Sequence, residues 1–468
     1  MESAWYEYLF SLITLHVVVA TAAGVHVLLY KRNSRSAFGW LGLVIVFPLA
    51  GPLLYALFGI NRVHRKALRI AGDGPPSVAE PASPVIFPGG AAFGRPGLAV
   101  TGETPCPGNR VRTFHDGEQA YPAMLDEIGR ARREVLLSTY IFDNDDTGLR
   151  FIDALRAARD RGCEVCILVD DVGIRYSFPT IIRELKRQRL PFRRFMPLRL
   201  IPPSLSINLR THRKLLIVDR RLAFTGGMNI GDRQLVEGPS PHRASDLHFS
   251  FHGPLVKPLA ELFADDWKFA RGEELEDWRP QPEPAGDVPC RLIRDGPDDS
   301  LDSLMLVIMG AVGAARERVW IMSPYFLPDR QMLGCLQAAA LAGVDVRVMI
   351  PEKNNWPLVQ WALQHNMDEM LSAGIHILMR PPPFAHSKCV LVDQDYALVG
   401  TGNMDQRSLR LNFELGVEVF DADFNLALAD HFAEVAQHCL PYTTERLAAR
   451  STLVRIRDGA SALFSPYL

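Results

Sequence analysis

The sequence predicts an α/β protein made of two similar halves behind an apolar N-terminal region. Three observations predict it. From about residue 110 onward, short apolar runs of strand character alternate with stretches of helical length and pattern. The same succession then returns: AARERVWIMSPYFLP (314–328) mirrors ARREVLLSTYIFD (131–143), and AGVDVRVMIP (342–351) mirrors RGCEVCILVD (161–170). Ahead of both halves, residues 8–30 and 36–60 carry no acidic or basic side chain and are long enough to cross a bilayer. The repeat is of domain scale. It implies two α/β sandwiches, each with helices on a central sheet, paired about a twofold axis.

In chain order, residues 1–60 read as an N-terminal transmembrane helical hairpin. The first charges are Glu2 and Glu7, so there is no basic leader and no cleaved signal is expected. Trp5, Tyr6, Tyr8, Trp40 and Tyr55 suit membrane interfaces. Lys31, Arg32 and Arg35 separate the two stretches, and Arg62, Arg65, Lys66 and Arg69 follow them. These clusters fall on opposite sides of a hairpin, so charge assigns no orientation. Pro48, Gly51 and Pro52 leave open whether the second stretch crosses or re-enters. Residues 61–109, rich in Pro and Gly, read as a linker. The first lobe runs over 110–271, with a helix at 118–133, a strand at 135–142, a helix at 147–161 and a strand at 163–171. A Pro- and Glu-rich linker, 272–289, leads to the second lobe at 290–440. Residues 441–468 form an amphipathic segment that suits either a membrane surface or a packed terminal helix.

Composition narrows the function. With 468 residues the chain is long for one domain. A net charge of −2 and a pI of about 6.7 give no global pull toward nucleic acid. Seven cysteines are an odd number, scattered through apolar runs, which argues for reduced thiols. Cys163 and Cys166 form a lone CxxC inside a strand pattern, with no second ligand pair for zinc. Asp143, Asp145 and Asp146 are read as helix caps rather than metal ligands. No cofactor or metal is expected.

The chemistry concentrates in HRKLLIVDRRLAFTGGMN (212–229) and HSKCVLVDQDYALVGTGN (386–403). In each, a Lys follows the His by two positions, an Asp by seven, a Gly by fourteen and an Asn by seventeen. An extended segment puts His212 and Lys214 on one face, and a turn after Gly226 returns Asn229 to it. His386, Lys388 and Asn403 repeat the set. Two imidazoles, two ammonium groups and two carboxamides at one point suit a phosphodiester. One His attacks and forms a phosphohistidine, the other gives a proton to the leaving oxygen, and Lys and Asn donate to the phosphate oxygens. The residues alone treat the two His symmetrically. The far imidazole nitrogens need partners, and Asp246 and Glu414 are candidates, each about thirty residues past its own His. Asp219 and Asp393 complete the two catalytic triplets, with the turn or the Lys as the contact to hold. The basic run Arg183 to Arg199 is a candidate for contacts to anionic headgroups.

These motifs, with NLRTHRKLLIVD (208–219), GGMNIGD (226–232), SPYFLP (323–328) and GTGNMDQRSLRLNFE (400–414), resemble the phospholipase D superfamily. Within it, the match is closest to bacterial cardiolipin synthases; FPLAGPLLY (47–55) and FSPYL (464–468) add to it. The resemblance implies two fused phospholipase D-like lobes, each an α/β/α sandwich, and transfer of a phosphatidyl group between two phosphatidylglycerol molecules, giving cardiolipin and glycerol. It implies His212 as nucleophile, His386 as acid and base, a phosphate contact from the hydroxyl of Thr401, and a bacterial inner-membrane location. Its partners are phosphatidylglycerol, other anionic phospholipids and the bilayer, without nucleic acid. Gly227 stands where many superfamily members have Ser or Thr. The other classes open to the sequence are a hydrolytic phospholipase D, a phosphatidylserine synthase, and a non-catalytic membrane scaffold. Oligomeric state is not legible.

Overall fold

Strands and helices alternate through both halves of the chain, in a computed structural model that describes residues 2–31, 34–59, 91–197, 209–238, 240–271, 275, 282–297 and 302–465. The chain divides into two compact units, the N-terminal helices and the body that follows.

In the N-terminal unit, helix α1 spans Glu2–Tyr30. Its stretch Trp5–Tyr30 is long and apolar enough to cross a membrane. The second stretch forms α2 (Ser34–Val46), α3 (Ala50–Leu54) and a single wide turn over Tyr55–Gly59. Thirteen residues of α2 reach roughly 20 Å, short of a bilayer core of about 30 Å. The break falls at Pro48, so the hairpin expected from two spanning stretches has one spanning arm and one broken arm. Val27, Val44 and Tyr55 pack the two arms together, and His26 Nδ1 lies 2.8 Å from the Tyr55 hydroxyl.

The body is organised by one sheet. The first half supplies β1 (Cys106–His115), β2 (Glu134–Thr139), β3 (Glu164–Asp170), β4 (Phe192–Phe195), β5 (Leu215–Val218), β6 (Leu222–Gly226), the two-residue β7 (Ala244–Ser245) and β8 (Leu247–His252). The second supplies β9 (Val288–Asp295), β10 (Arg318–Met322), β11 (Phe326–Leu327), β12 (Asp345–Pro351), β13 (His376–Arg380), β14 (Phe384–Ala385), β15 (Cys389–Val392), β16 (Tyr396–Gly400), β17 (Met404–Asp405), β18 (Glu414–Val419) and β19 (Leu440–Pro441). Outward from the centre, one half runs β1-β8-β6-β5-β2-β3-β4 and the other β9-β18-β16-β15-β10-β12-β13-β19. The expected duplication is therefore present in seven strands of each half, with β19 added at the edge of the second. The two sandwiches share their sheet, because β1 and β9 pair antiparallel and join the halves into fifteen strands, while β7 with β14 and β11 with β17 form separate two-stranded pairs. Each half keeps its own apolar core, around Phe151, Val135 and Ile167 in the first and Ile308, Val319 and Val348 in the second.

The expected linker 61–109 is corrected in part. Residues 60–90 lie outside the described residues, but Ala91–Thr101 is a helix with Phe93 in the second core. Its Gly and Pro are contact residues here. A side chain at Gly97 would meet the Arg291 guanidinium, and Pro96 rests on Gly310. Residues 272–281 of the second linker are described only at 275. The final segment packs on the helix Pro357–Ser372: Arg450 donates to Gln364 O at 2.9 Å and Arg457 covers the Trp361 ring.

Candidate active site

Both His motifs fold as the spacing demands. His212 and Lys214 sit in the extended approach to β5, Asp219 makes the turn to β6, and Asn229 follows that strand. His386, Lys388, Asp393 and Asn403 occupy the same places around β15 and β16. The backbone then crosses the two motifs. His212 N donates to Phe413 O at 2.9 Å, beside Glu414, and His386 N donates to Ser245 O at 2.8 Å, beside Asp246.

That crossing decides the imidazole partners. His212 Nδ1 is 3.0 Å from Glu414 Oε1, and His386 Nδ1 is 2.6 Å from Asp246 Oδ2. Asp246 and Glu414 do meet the imidazoles, but each meets the His of the opposite half. Sequence distance pointed to the wrong pairing because the contact runs between lobes. With Nδ1 engaged by a carboxylate, Nε2 is the nitrogen left for a substrate.

The carboxylates differ in their surroundings. Glu414 also accepts from Thr401 Oγ1 at 2.6 Å, Ser408 Oγ at 2.6 Å and Asn412 Nδ2 at 3.3 Å. Burial pushes its pKa up, yet His212, Lys214 and the Ser408 hydroxyl hold it below the usual glutamate value. Asp246 accepts from the Leu247 amide at 2.8 Å. Thr401 is fully buried and gives its hydroxyl to Glu414, not to the cavity. The expected phosphate contact from Thr401 is therefore replaced by a role behind His212. Gly227 is explained by the same comparison. A Cβ there would lie 2.3 Å from Asp246 Oδ1, so the carboxylate fills the space that a side chain needs.

Asp219 and Asp393 hold the turn, one of the two contacts expected of them, and not the Lys. Asp219 accepts from the backbone amides of Arg132, Arg133 and Glu134, and Asp393 from those of Arg316, Glu317 and Arg318. Both sit at the far end of a four-residue strand from the Lys, roughly 15 Å along the chain. Lys214 and Lys388 are almost fully buried and donate to the carbonyls of His212 and His386 at 2.7 and 2.5 Å. Asn229 Oδ1 accepts from the Ile141 amide at 3.0 Å, which turns its NH2 end outward. Asn403 Oδ1 is buried without a partner among the described residues.

Both imidazoles and both carboxamides line one cavity of about 1020 Å³. Burial first, and the neighbouring lysines after it, lower both His to about 4 against the pull of their carboxylates. Burial thus favours the neutral imidazole in the empty site. Burial likewise lowers Lys388 to about 8 and Lys214 well below the usual lysine value. Bound anion would reverse these shifts. Among the described residues, no group of three or more His, Cys, Asp or Glu is arranged to hold a metal ion. Asp145 caps the helix Asp146–Asp160, as expected, and Asp143 pairs with Arg233.

The basic run 183–197 does not line this cavity. Arg187 pairs with Glu184, Arg194 with Asp171, and Arg193 lies over Trp267. Arg199 lies outside the described residues. Arg210, Arg233, Arg243, Lys353, Arg380 and Arg407 supply the cavity's positive charge instead. Tyr140 and Tyr325 were also missed as site residues. Tyr140 meets His212 edge-on at 5.2 Å, and both line the cavity. Their signal was present in the mirrored STYIF and SPYFL.

Residues 124–267 and 308–436 match the family model described as "Cardiolipin synthase, PLD-like domain". The chain belongs to this phospholipase D-like family. Residues 18–59 match a second model, "Phospholipase D-nuclease N-terminal". Among curated relatives, the cardiolipin synthase of Listeria welshimeri is 30% identical, with 98% of each chain covered. That of Geobacillus thermodenitrificans is 31% identical over 94% of this chain and 90% of its own. The major cardiolipin synthase ClsA of Bacillus subtilis is 30% identical over 94% and 95%. A crystal structure of phosphatidylserine synthase from Haemophilus influenzae shares the fold, with a TM-score of 0.60 and 15% identity over 76% of this chain and 95% of that one.

Proposed function

We propose that this family member is a membrane-anchored phosphatidyltransferase that makes cardiolipin and glycerol from two phosphatidylglycerol molecules. The observation that carries the reading is the pair of imidazoles in one cavity, each held at Nδ1 by a carboxylate of the opposite half. The near-full-length likeness to cardiolipin synthases supports the substrate. We assign the attack to neutral His212. Its Nε2 bonds to phosphorus, the bond from phosphorus to the glycerol oxygen breaks, and His386, which takes up a proton as the anionic phosphodiester binds, gives that oxygen its proton. The phosphoimidazolium formed on His212 carries positive charge, and Glu414, kept ionised by its donors, balances it. Neutral His386 then takes the proton of the second phosphatidylglycerol hydroxyl. That oxygen attacks phosphorus, the bond to His212 breaks, and the site is restored. The carboxamides of Asn229 and Asn403 and the flanking lysines receive the charge on the phosphate oxygens. Helix α1 anchors the chain in the bacterial inner membrane, and the near-neutral net charge fits a lipid substrate better than nucleic acid.

The test is product analysis with purified full-length protein in vesicles of labelled phosphatidylglycerol. Cardiolipin and glycerol in equal amounts are expected. Phosphatidic acid as the sole lipid product would make the protein a hydrolase, and no turnover would leave the scaffold reading.

A further inference from the structure

We propose that Arg243, Lys353 and Arg380 form a subsite for the phosphate of the acceptor lipid, beside His386. The proposal rests on the transferase reading above and deepens it. Water needs no anion site, whereas a second phosphatidylglycerol brings its own phosphodiester into a cavity that already holds a phosphoryl group.

The cations of the cavity divide by partner. Arg233 is held by Asp143, and buried Arg210 donates to Met196 O with Asp170 at 3.7 Å. Both are committed to the protein. Arg243 donates to the Val236 carbonyl at 3.0 Å, and Arg380 to the Ser245 hydroxyl at 2.8 Å. Among the described residues, neither they nor Lys353 has a carboxylate in ion-pair contact. Asp116 and Asp246 act on Arg380 only through space, and burial lowers its pKa more than they raise it. A half-buried guanidinium with one neutral partner is an anion site in waiting.

Backbone pairing brings the three together on the His386 side. Phe384 N donates to Arg243 O at 3.0 Å, two residues before His386. Ser245, which holds Arg380, is also the carbonyl partner of the His386 amide. Pro351 pairs with Arg380 across β12 and β13, which puts Lys353 just beyond that pair. A lipid phosphate bound here lies next to the imidazole that must deprotonate its glycerol hydroxyl. The space suffices: about 1020 Å³ is at the top of the roughly 300–1000 Å³ usual for one small ligand. Arg407, the remaining cavity cation, stands with Tyr140 and Tyr325.

The experiment sets two acceptors in competition. Full-length protein is given phosphatidylglycerol vesicles with ethanol, and cardiolipin is measured against phosphatidylethanol. Both products share the donor step, and only cardiolipin needs the acceptor phosphate. Arg243→Gln with Lys353→Gln, both at exposed positions, and separately Arg380→Gln, are expected to lower the ratio of cardiolipin to phosphatidylethanol about tenfold, with Arg380→Lys recovering part of it. A ratio equal to wild type, whether total turnover falls or holds, overturns the subsite. If Arg380→Gln does not fold, the exposed pair carries the test alone. Wild-type protein that makes phosphatidylethanol but no cardiolipin overturns the cardiolipin-forming reading itself, a distinct failure.

Discussion

The two halves of the body share a backbone plan and differ in how each carboxylate is kept. Glu414 has three neutral side-chain donors besides His212. Asp246 has the amide of Leu247 and His386, and it presses on Gly227. The longer side chain thus has a threonine beside it, and the shorter one has a glycine. A duplicated scaffold fixed where the carboxylates sit, while the donors around each differ. A nucleophile that becomes positively charged needs a permanent counter-charge. An acid and base that gains and loses a proton each turnover has less use for one.

The largest expected effect breaks the symmetry directly. His212→Ala and His386→Ala each lower phosphatidylglycerol turnover by at least about 10³-fold. A donor with a nitrophenol leaving group needs no proton from His386. On that donor the first step, read as nitrophenolate burst, returns in His386→Ala and stays absent in His212→Ala; the reverse pattern would make His386 the nucleophile. The pH profile sharpens the same point. His212 is lowered to about 4, so it stays neutral and able to attack as pH falls below the ordinary 6.5. The acid limb of kcat/KM is expected well below 6.5, and a limb at 6.5 would show that burial does not govern this group.

A smaller difference is expected between the orienting carboxylates. Glu414→Gln turns an NH2 group toward a cluster of hydroxyl and amide donors, while Asp246→Asn meets fewer. Both are expected to lower kcat with little change in KM, by about 10²- to 10³-fold for Glu414 and several-fold less for Asp246. Gly227→Ala should match Asp246→Asn or exceed it, because the new Cβ displaces the Asp246 carboxylate. Equal losses at 246 and 414 would mean that the extra donors around Glu414 do not matter.

Much of this was legible in the sequence, for reasons that differ by residue. Helices and strands followed from periodicity, and the doubled spacing of His, Lys, Gly and Asn carried the site, because local order alone creates those patterns. The crossing of Glu414 to His212 was not legible: it depends on Thr211 bridging Phe413, a contact between lobes. The helix Ala91–Thr101 was hidden because Gly94, Pro96 and Gly97 look like linker until the helix is seen against Arg291 and Gly310. The basic run 183–197 misled because charge density in sequence says nothing of partners. Glu184, Asp171 and Trp267 take up Arg187, Arg194 and Arg193.

The smallest effect is expected where the halves agree. Asp219 and Asp393 have φ of 50° and 47°, a left-handed conformation that Asn tolerates as well as Asp. In Asp219→Asn the retained Oδ1 still accepts from Arg133 and Glu134, while the new NH2 faces the Arg132 amide. Asp393→Asn repeats this against Arg316. Each substitution is expected to cost about 1–2 kcal/mol of stability, the two values agreeing within about 0.5 kcal/mol, with kcat of the folded protein within about twofold of wild type. Chemical denaturation beside turnover measures both. If kcat instead falls a hundredfold at unchanged stability, the aspartates act on the reaction and the turn is incidental. If the two stability losses differ widely, the asymmetry of the halves extends beyond the carboxylates that hold the imidazoles.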